Sequence, residues 1–512
     1  MLERLQQPYG SFPAILSAWA ERQPDKPALR DDAGEMSWAE LDGRVERLAA
    51  KLVETGLERG QSVAILGTSC IAYALVFLAA VRAGGVAAPL TTSASREQLE
   101  GMAKDSGARH LFIDDGKNAE LGEDFLPGFD RIALEEIDAW MAPEGTKAPA
   151  FDPDPADHFN IIYSSGTTGV PKGIVHSHQM RWRQFAATAS SYIDAGLEVR
   201  SLASTPLYSN TTMVAFLAPL LAGGTVRIMG KFNTVRWLEH AQADRTIITM
   251  LVPVQYQRLM AEPSFDQYDL SSLALKYCTS APFSAELKAE VLQRMPGGLI
   301  EIYSMTEGGV VCLLACHEFP DKLHTVGRPA PGSELKVLDD EDRLVPPGEP
   351  GNLIGRSQTM MAGYKNQPGK TREGYWTDPD TGEVWQRMGD IGRVDEDGFV
   401  ELVGRAKDMI ISGGFNIYPS DLEAELEKDP RVAEAAVIGV ASEQWGETPL
   451  GFVRLMPAVA EDEAEDILGT VNARLGKTQR LSALHVIEEM PRSHIGKLLK
   501  TELRDLAETL AG

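Results

Sequence analysis

Cysteine is scarce in this sequence: Cys70, Cys278, Cys312 and Cys316 are the only four in 512 residues. Only the last two are close, and a C-x3-C pair without neighbouring ligands makes neither a zinc site nor a disulfide framework. Buried free thiols in a reducing compartment are expected instead. Long apolar runs are missing as well. The most apolar stretch, Ala72 to Leu90, is interrupted by Arg82 and by Gly84-Gly85. It reads as a buried helix followed by a strand rather than a membrane span. The opening residues, Met1 to Pro8, lack the apolar centre of a signal peptide. Positive charge is in deficit, with 49 Lys and Arg against 74 Asp and Glu, a formal net charge of -25 and a pI near 4.8. Such a surface repels phosphate backbones and argues against a nucleic-acid partner. It does not exclude a nucleotide, because a local nest of backbone N–H groups holds phosphates on an acidic protein. The expectation is a cytoplasmic protein without a membrane span.

The remaining composition, 43% hydrophobic and 24% charged, is that of a folded globular chain, and the length calls for two or more domains. Ser37-Trp38-Ala39-Glu40 is a capping-box start. Leu41, Val45, Leu48, Ala49 and Leu52 follow at helical spacing. Val63 to Leu66 and Val86 to Leu90 read as buried strands, as do Asn160 to Tyr163, Thr225 to Ile228 and Thr246 to Thr249. Strands alternating with helices imply an α/β domain with largely parallel sheet. From about Gly348 the texture changes to short strands and Gly/Asp turns, as in Asp395 to Gly398. The tail reads as a small α+β unit: Leu422 to Leu426 helical, Val432 to Val440 extended, Glu461 to Leu475 helical. The expected division is 1–407 and 408–512.

The strongest motif runs from Tyr163 through Ser164, Ser165, Gly166, Thr167, Thr168, Gly169, Val170 and Pro171 to Lys172 and Gly173. Its glycines let backbone N–H groups turn inward as an anion cradle, the hydroxyls add donors, and Lys172 brings a mobile positive charge. A P-loop NTPase needs Gly before the lysine and Ser or Thr after it. Here Pro171 precedes and Gly173 follows, so that class is excluded by spacing. Downstream come Ser280-Ala281-Pro282, then Glu301-Ile302-Tyr303-Ser304-Met305-Thr306-Glu307, Arg387-Met388-Gly389-Asp390, a hinge-like stretch from Gly404 to Glu423, and Pro491 to Lys497. Tyr303 offers a flat face for a base, and Glu307 is a hard oxygen ligand suited to Mg²⁺.

In this order the motifs resemble those of the adenylate-forming superfamily, the acyl-CoA synthetases, carrier-protein adenylation domains and firefly-type luciferases, over nearly the whole chain. The resemblance implies a large N-terminal α/β domain of mixed sheets with a strand-rich subdomain, and a small mobile α+β C-terminal domain. It implies ATP, Mg²⁺ and coenzyme A as cofactor and co-substrates. Residues Ser164 to Gly169 would hold phosphates, and Ser280, Ala281, Pro282, Glu301, Ile302 and Tyr303 would surround the adenine. Asp390 would take the ribose hydroxyls, Arg405 and Lys407 would contact ribose or phosphate, and Ser412, Gly413 and Gly414 would face CoA. The catalytic set would be Lys497, Thr306, Glu307 and Lys172, with Glu307 and Thr168 at the metal and Asp408 as hinge.

Several positions depart from the family pattern. Met388 stands where Thr is usual, Ser209 where many acyl-CoA synthetases have His, and Gly413 where several relatives have a CoA-contacting Lys. Tyr208, Ser209, Met213, Ser304, Val310 and Val311 would line a pocket for a medium-sized hydrophobic acid, aromatic, branched or fatty. The same residues also fit a second description, as core packing beneath that pocket. The expected activity is an ATP-dependent carboxylate–CoA ligase working through an acyl-adenylate, with a homodimer among the assemblies it allows. A carrier-loading adenylation enzyme, a luciferase-like oxygenase and a silent nucleotide-binding homologue remain as alternatives.

Overall fold

The computed structural model describes residues 1–164, 171–412, 415–457, 459–477, 479–493 and 496–511. Among them, two large sheets and two smaller ones organise the chain. The capping box is formed: Ser37 Oγ accepts from Glu40 N at 3.3 Å while Ser37 N donates to Glu40 Oε2 at 2.7 Å. The helix it starts, Trp38–Glu54, buries Leu41, Val45, Leu48, Ala49 and Leu52, and capping of this kind is worth about 1 kcal/mol. The apolar stretch becomes the buried helix Ile71–Arg82 and the strand Val86–Pro89. Arg82, which interrupts it in sequence, is neutralised where it lies by Asp42 at 2.9 Å and by Glu46. No helix among the described residues is long and apolar enough to cross a membrane.

Seven strands form one sheet, with Ser62–Leu66, Val86–Pro89, His110–Ile113 and Asp130–Ala133 all parallel. At its other side the hairpin His158–Ser164 and Lys172–Ser177 runs antiparallel, and Gly363–Tyr364 adds an antiparallel edge. The nine-stranded sheet is parallel through Thr225–Ile228, Arg200–Ala203, Ile248–Leu251, Leu275–Cys278 and Gly298–Met305. One continuous core joins the two sheets, containing Val63, Ile65 and Ala87 from the first and Leu29, Val226 and Ile248 from the second. The expected strand at Thr246 begins two residues later, because Thr246 N still bonds to Ala241 O at the end of the preceding helix.

The strand-rich part starts earlier than the texture at Gly348 suggests. Ser333–Leu338 pairs antiparallel with Gly351–Ser357 and opens a five-stranded sheet that also holds Val384–Val394 and Val400–Arg405. The Asp339 to Gly348 turn separates the two strands in sequence and hides the first. A further sheet is built wholly from Ile410 onward, around the long hairpin Val432–Ser442 and Gly446–Leu455. The helices Pro419–Glu427 and Ala464–Arg474 cover it, sharing the core of Leu422, Leu426, Val437, Val453, Ile467 and Val471. The closing helix Lys500–Ala511, not anticipated from the sequence, packs Leu503 and Ala507 against Ala436, Ile438 and Phe452. Cys278, Cys312 and Cys316 are buried free thiols and Cys70 is half-buried. Burial pushes Cys312 and Cys316 up to about 12, far from any thiolate chemistry.

Candidate active site

The hairpin His158–Ser164 and Lys172–Ser177 brings both ends of the proposed phosphate loop together, pairing Ser164 with Lys172 and Tyr163 with Gly173. Ser165, Gly166, Thr167, Thr168 and Gly169, like Gly413 and Gly414, lie outside the described residues. Lys172 Nζ sits 5.2 Å from the centre of the Tyr364 ring, and the Tyr364 hydroxyl donates to Glu307 Oε1 at 2.9 Å. One tyrosine therefore touches both the loop lysine and the candidate metal carboxylate. Glu307 has no basic partner within ion-pair distance among the described residues. A half-buried carboxylate aimed by a hydroxyl and free of a competing cation fits an oxygen-seeking Mg²⁺. No group of three or more His, Cys, Asp or Glu side chains gathers into a metal cluster among the described residues. A metal at Glu307 would therefore draw further oxygens from substrate phosphates and water.

Asp390 lies at the centre of a second group. It is nearly buried, at 5% exposure, in the strand Val384–Val394. Its Oδ2 accepts from the Tyr303 hydroxyl at 2.7 Å, and its Oδ1 meets Arg405 Nε at 2.7 Å. Burial raises the Asp390 pKa, and Arg405, the Tyr303 hydrogen bond, Lys497 and Lys407 act against that rise. Burial, followed by the Asp390 charge, holds the Tyr303 hydroxyl well above its ordinary range. Met388, the departure from the family pattern, is fully buried. Its sulfur fills the space over Gly309, where a Cβ would lie 2.5 Å from it at a φ of +81°. Glycine at 309 is thus what lets methionine take the place of a smaller residue.

Lys497 joins this group from the far end of the chain. The turn that carries it is closed by Gly496 N to Ser493 O at 2.8 Å, Ser493 N to Lys497 O at 2.8 Å and Arg492 Nη1 to Gly496 O at 2.7 Å. Gly496 has a φ of +75° and seats the turn against the start of the helix Pro253–Met260: a Cβ there would lie 2.3 Å from Val254 Cγ1. Lys497 remains solvent-exposed by area, yet crowding of its ammonium, with the Arg405 and Lys407 charges, lowers its pKa, while Asp390 and Asp408 oppose. Lys407 is lowered in the same way, by burial first and by Arg405 and Arg504 after it. Asp408 pairs with Arg504 of the closing helix at 2.8 Å.

The loop expected beside the adenine is tied to its neighbours. Thr279 Oγ1 donates to Ile302 O at 2.6 Å, and the Ser280 and Thr211 hydroxyls bond to each other. Ser280 holds a φ of +84°, a strained backbone for a residue with a side chain. Glu301 is different from its expected role. Its side chain is buried against Lys288 at 2.6 Å, and burial pushes its pKa to about 7 against the pull of that lysine. Its backbone lies in a strand paired on both sides, opposite Cys278 and Leu314. Ser412 also differs: it is the inward residue of an alternating strand, at 1% exposure and with no hydroxyl partner among the described residues, while Ile411 and Phe415 are the side chains presented to solvent.

Among the residues named for the acyl pocket, Met213 is fully buried in the core between the two large sheets. Val310 packs with Cys312, Leu353 and Met388 beneath the strand-rich part. Both have packing surroundings. Val311, Ser304 and Tyr208 are partly exposed, and Ser209 is buried with its Oγ accepting from Thr211 N at 3.3 Å. Three residues essential to this arrangement carry no sequence signal that reveals them. Tyr364 meets Glu307, Arg504 meets Asp408 and Val254 meets Gly496 only because distant segments fold together.

The chain is similar in sequence and fold to known proteins. Residues 16–365 match the family model described as AMP-binding enzyme, and residues 421–497 match the AMP-binding enzyme C-terminal domain. A feruloyl-CoA synthase from Amycolatopsis sp is 32% identical, covering 96% of this chain and 98% of its own. An indoleacetate–CoA ligase from Aromatoleum aromaticum is 30% identical over 96% of this chain and 98% of its own. The crystal structure of the anthranilate CoA ligase AuaEII in complex with anthranoyl-AMP superposes with a TM-score of 0.85 at 26% identity, covering 99% of this chain and 98% of that one. The chain belongs to the adenylate-forming superfamily, the AMP-binding enzymes. Within it, the chain is an AMP-forming acid–CoA ligase, the class to which these relatives belong.

Proposed function

We propose that this ligase activates an aromatic acid of medium size and passes its acyl group to coenzyme A. The observation that carries the reading is the Tyr303–Asp390–Arg405 clamp, with Lys497 brought from the far end of the chain near enough for its charge to act on Asp390. Support for an aromatic acid comes from the relatives named for ferulate, indoleacetate and anthranilate.

In the first half-reaction a carboxylate oxygen of the acid bonds to the α-phosphorus of ATP, and the bond to pyrophosphate breaks. Two anions must approach each other, so positioning and charge neutralisation supply the rate. Asp390 receives the ribose hydroxyls through the lone pairs left by Tyr303 and Arg405. Lys497 and Lys172 bring positive charge to the phosphates. Glu307, aimed by Tyr364, would hold Mg²⁺, which would supply charge neutralisation for the phosphates. In the second half-reaction the CoA thiolate bonds to the acyl carbonyl carbon and AMP leaves with the bonding pair. No side-chain nucleophile is required. CoA needs access to the face that Lys497 covers, so the unit 408–512 turns about Asp408 between the halves, with the boundary at 407/408 and a cytoplasmic setting part of the same proposal.

The test is a panel of aryl, branched and fatty acids scored by CoA-dependent AMP formation. Aryl acids are expected to give the highest kcat/KM. A preference for long fatty acids would overturn the substrate class, and acyl transfer to a phosphopantetheinyl carrier in place of CoA would overturn the acceptor.

A further inference from the structure

His176 and Arg181 have no part in the reading above, yet they lie between its two halves. Asn160 and His176 face each other across the hairpin that carries residues 165–170. Both are fully buried, and so is Arg181 in the first turn of the helix His178–Asp194. The guanidinium donates to Asn160 Oδ1 at 2.9 Å, to Gln184 Oε1 at 2.7 Å and to His176 Nδ1 at 2.8 Å. No carboxylate pairs with it among the described residues. A guanidinium has donors only. Nδ1 of His176 must then be the acceptor, and the ring proton must sit on Nε2. That N–H is 2.8 Å from Thr306 O and donates to it. The arginine thus sets the tautomer of the histidine, and the histidine reaches the backbone of the turn from which Glu307 projects.

The hairpin and the turn belong to different sheets, the seven-stranded and the nine-stranded. We propose that Arg181 and His176 are positioning residues for adenylation: they fix the Thr306–Glu307 turn relative to the phosphate-loop hairpin, so that nucleotide-holding segments from two sheets keep one geometry. Neither touches the reacting atoms. The kinetic part rests on the ligase reading; the tautomer does not.

Two measurements decide it. NMR of the full-length protein with isotope-labelled histidine, assigned by comparison with His176→Gln, is expected to show His176 as the Nε2–H tautomer near neutral pH. An Nδ1–H tautomer overturns the proposal. The second measurement separates the half-reactions. His176→Gln still reaches Thr306 O with an amide N–H, whereas His176→Asn falls short, and Arg181→Lys keeps the charge but loses the three-way fork. Acid-dependent ATP–pyrophosphate exchange is expected to fall about tenfold or more in His176→Asn and Arg181→Lys, through kcat or the KM for Mg·ATP, because small misplacements near the reacting atoms are costly. His176→Gln is expected to stay within about threefold of the parent. CoA-dependent turnover of supplied acyl-adenylate should be unchanged in all three. Parental exchange in His176→Asn, or a loss shared equally by both half-reactions and tracking a lower Tm, overturns the proposal. If His176→Asn does not fold, the tautomer and the Arg181→Lys rates still decide. A parent protein with no exchange for any acid would overturn the ligase reading instead, leaving the tautomer result intact.

Discussion

Asp390 is held by a tyrosine hydroxyl on one oxygen and a guanidinium on the other, inside a strand with pairing partners on both sides. Lys497 arrives at the same place on a short turn whose seat against the large unit is a glycine lying on Val254. Asp390 is buried and held on both oxygens, with Tyr303 and Arg405 partly exposed around it; Lys497 is exposed, on a turn that lies close against Val254. The proposed nucleotide clamp is thus built into sheet structure. In the proposed rotation, the contact that would break once per turnover is the seat of Gly496 on Val254.

The comparison can be broken most severely at the lysine. Lys497→Ala is expected to slow pyrophosphate release about 10²- to 10³-fold, the scale on which a single charge-stabilising group acts. It should leave CoA-dependent turnover of supplied acyl-adenylate near the parental rate. Rapid-quench measurement of both halves checks this, and equal loss in both would remove Lys497 from the first step. A smaller break comes from the seat. Gly496→Val places a branched side chain at a φ of +75° and against Val254. Adenylation is expected to fall about tenfold or somewhat more, with Tm lowered modestly by the strained backbone and CoA-dependent turnover of supplied acyl-adenylate near the parental rate. The smallest effect sharpens the fixed side. Tyr364→Phe removes the hydroxyl that aims Glu307, so the KM for Mg·ATP should rise about three- to tenfold, the range of a typical single hydrogen bond. A titration of activity against free Mg²⁺ should be shifted to higher Mg²⁺, and an unchanged curve would take Tyr364 out of the site.

Much of this was legible in the sequence where the signal is local. The Ser37–Glu40 box, the interrupted apolar stretch and the tail's helix–strand–helix pattern all appear at the expected places because each is decided within a few residues. Tyr303 and Asp390 were legible from motif order, and the structure brings them within 2.7 Å of each other. What was not legible depends on segments far apart in sequence. The strand Ser333–Leu338 is hidden because its partner lies beyond a polar turn. Glu301 looked like a nucleotide residue, yet Lys288 on the preceding helix claims its carboxylate. Ser412 looked exposed beside two glycines, yet strand alternation turns it inward. The Arg181–His176–Thr306 chain crosses two sheets, and no spacing rule points to it.

The second strand from one edge of the nine-stranded sheet has a consequence for how the chain assembles. Pro27–Arg30 is parallel to Thr225–Ile228, with Leu29 opposite Val226. A ribosome delivers the first of these long before the second, so the nascent N-terminal segment must wait, its apolar face uncovered, until the partner strand emerges. Non-local parallel pairing of this kind slows folding and exposes sticky intermediates. Yield during synthesis should therefore depend on chaperone supply and growth temperature more than on the final stability of the fold.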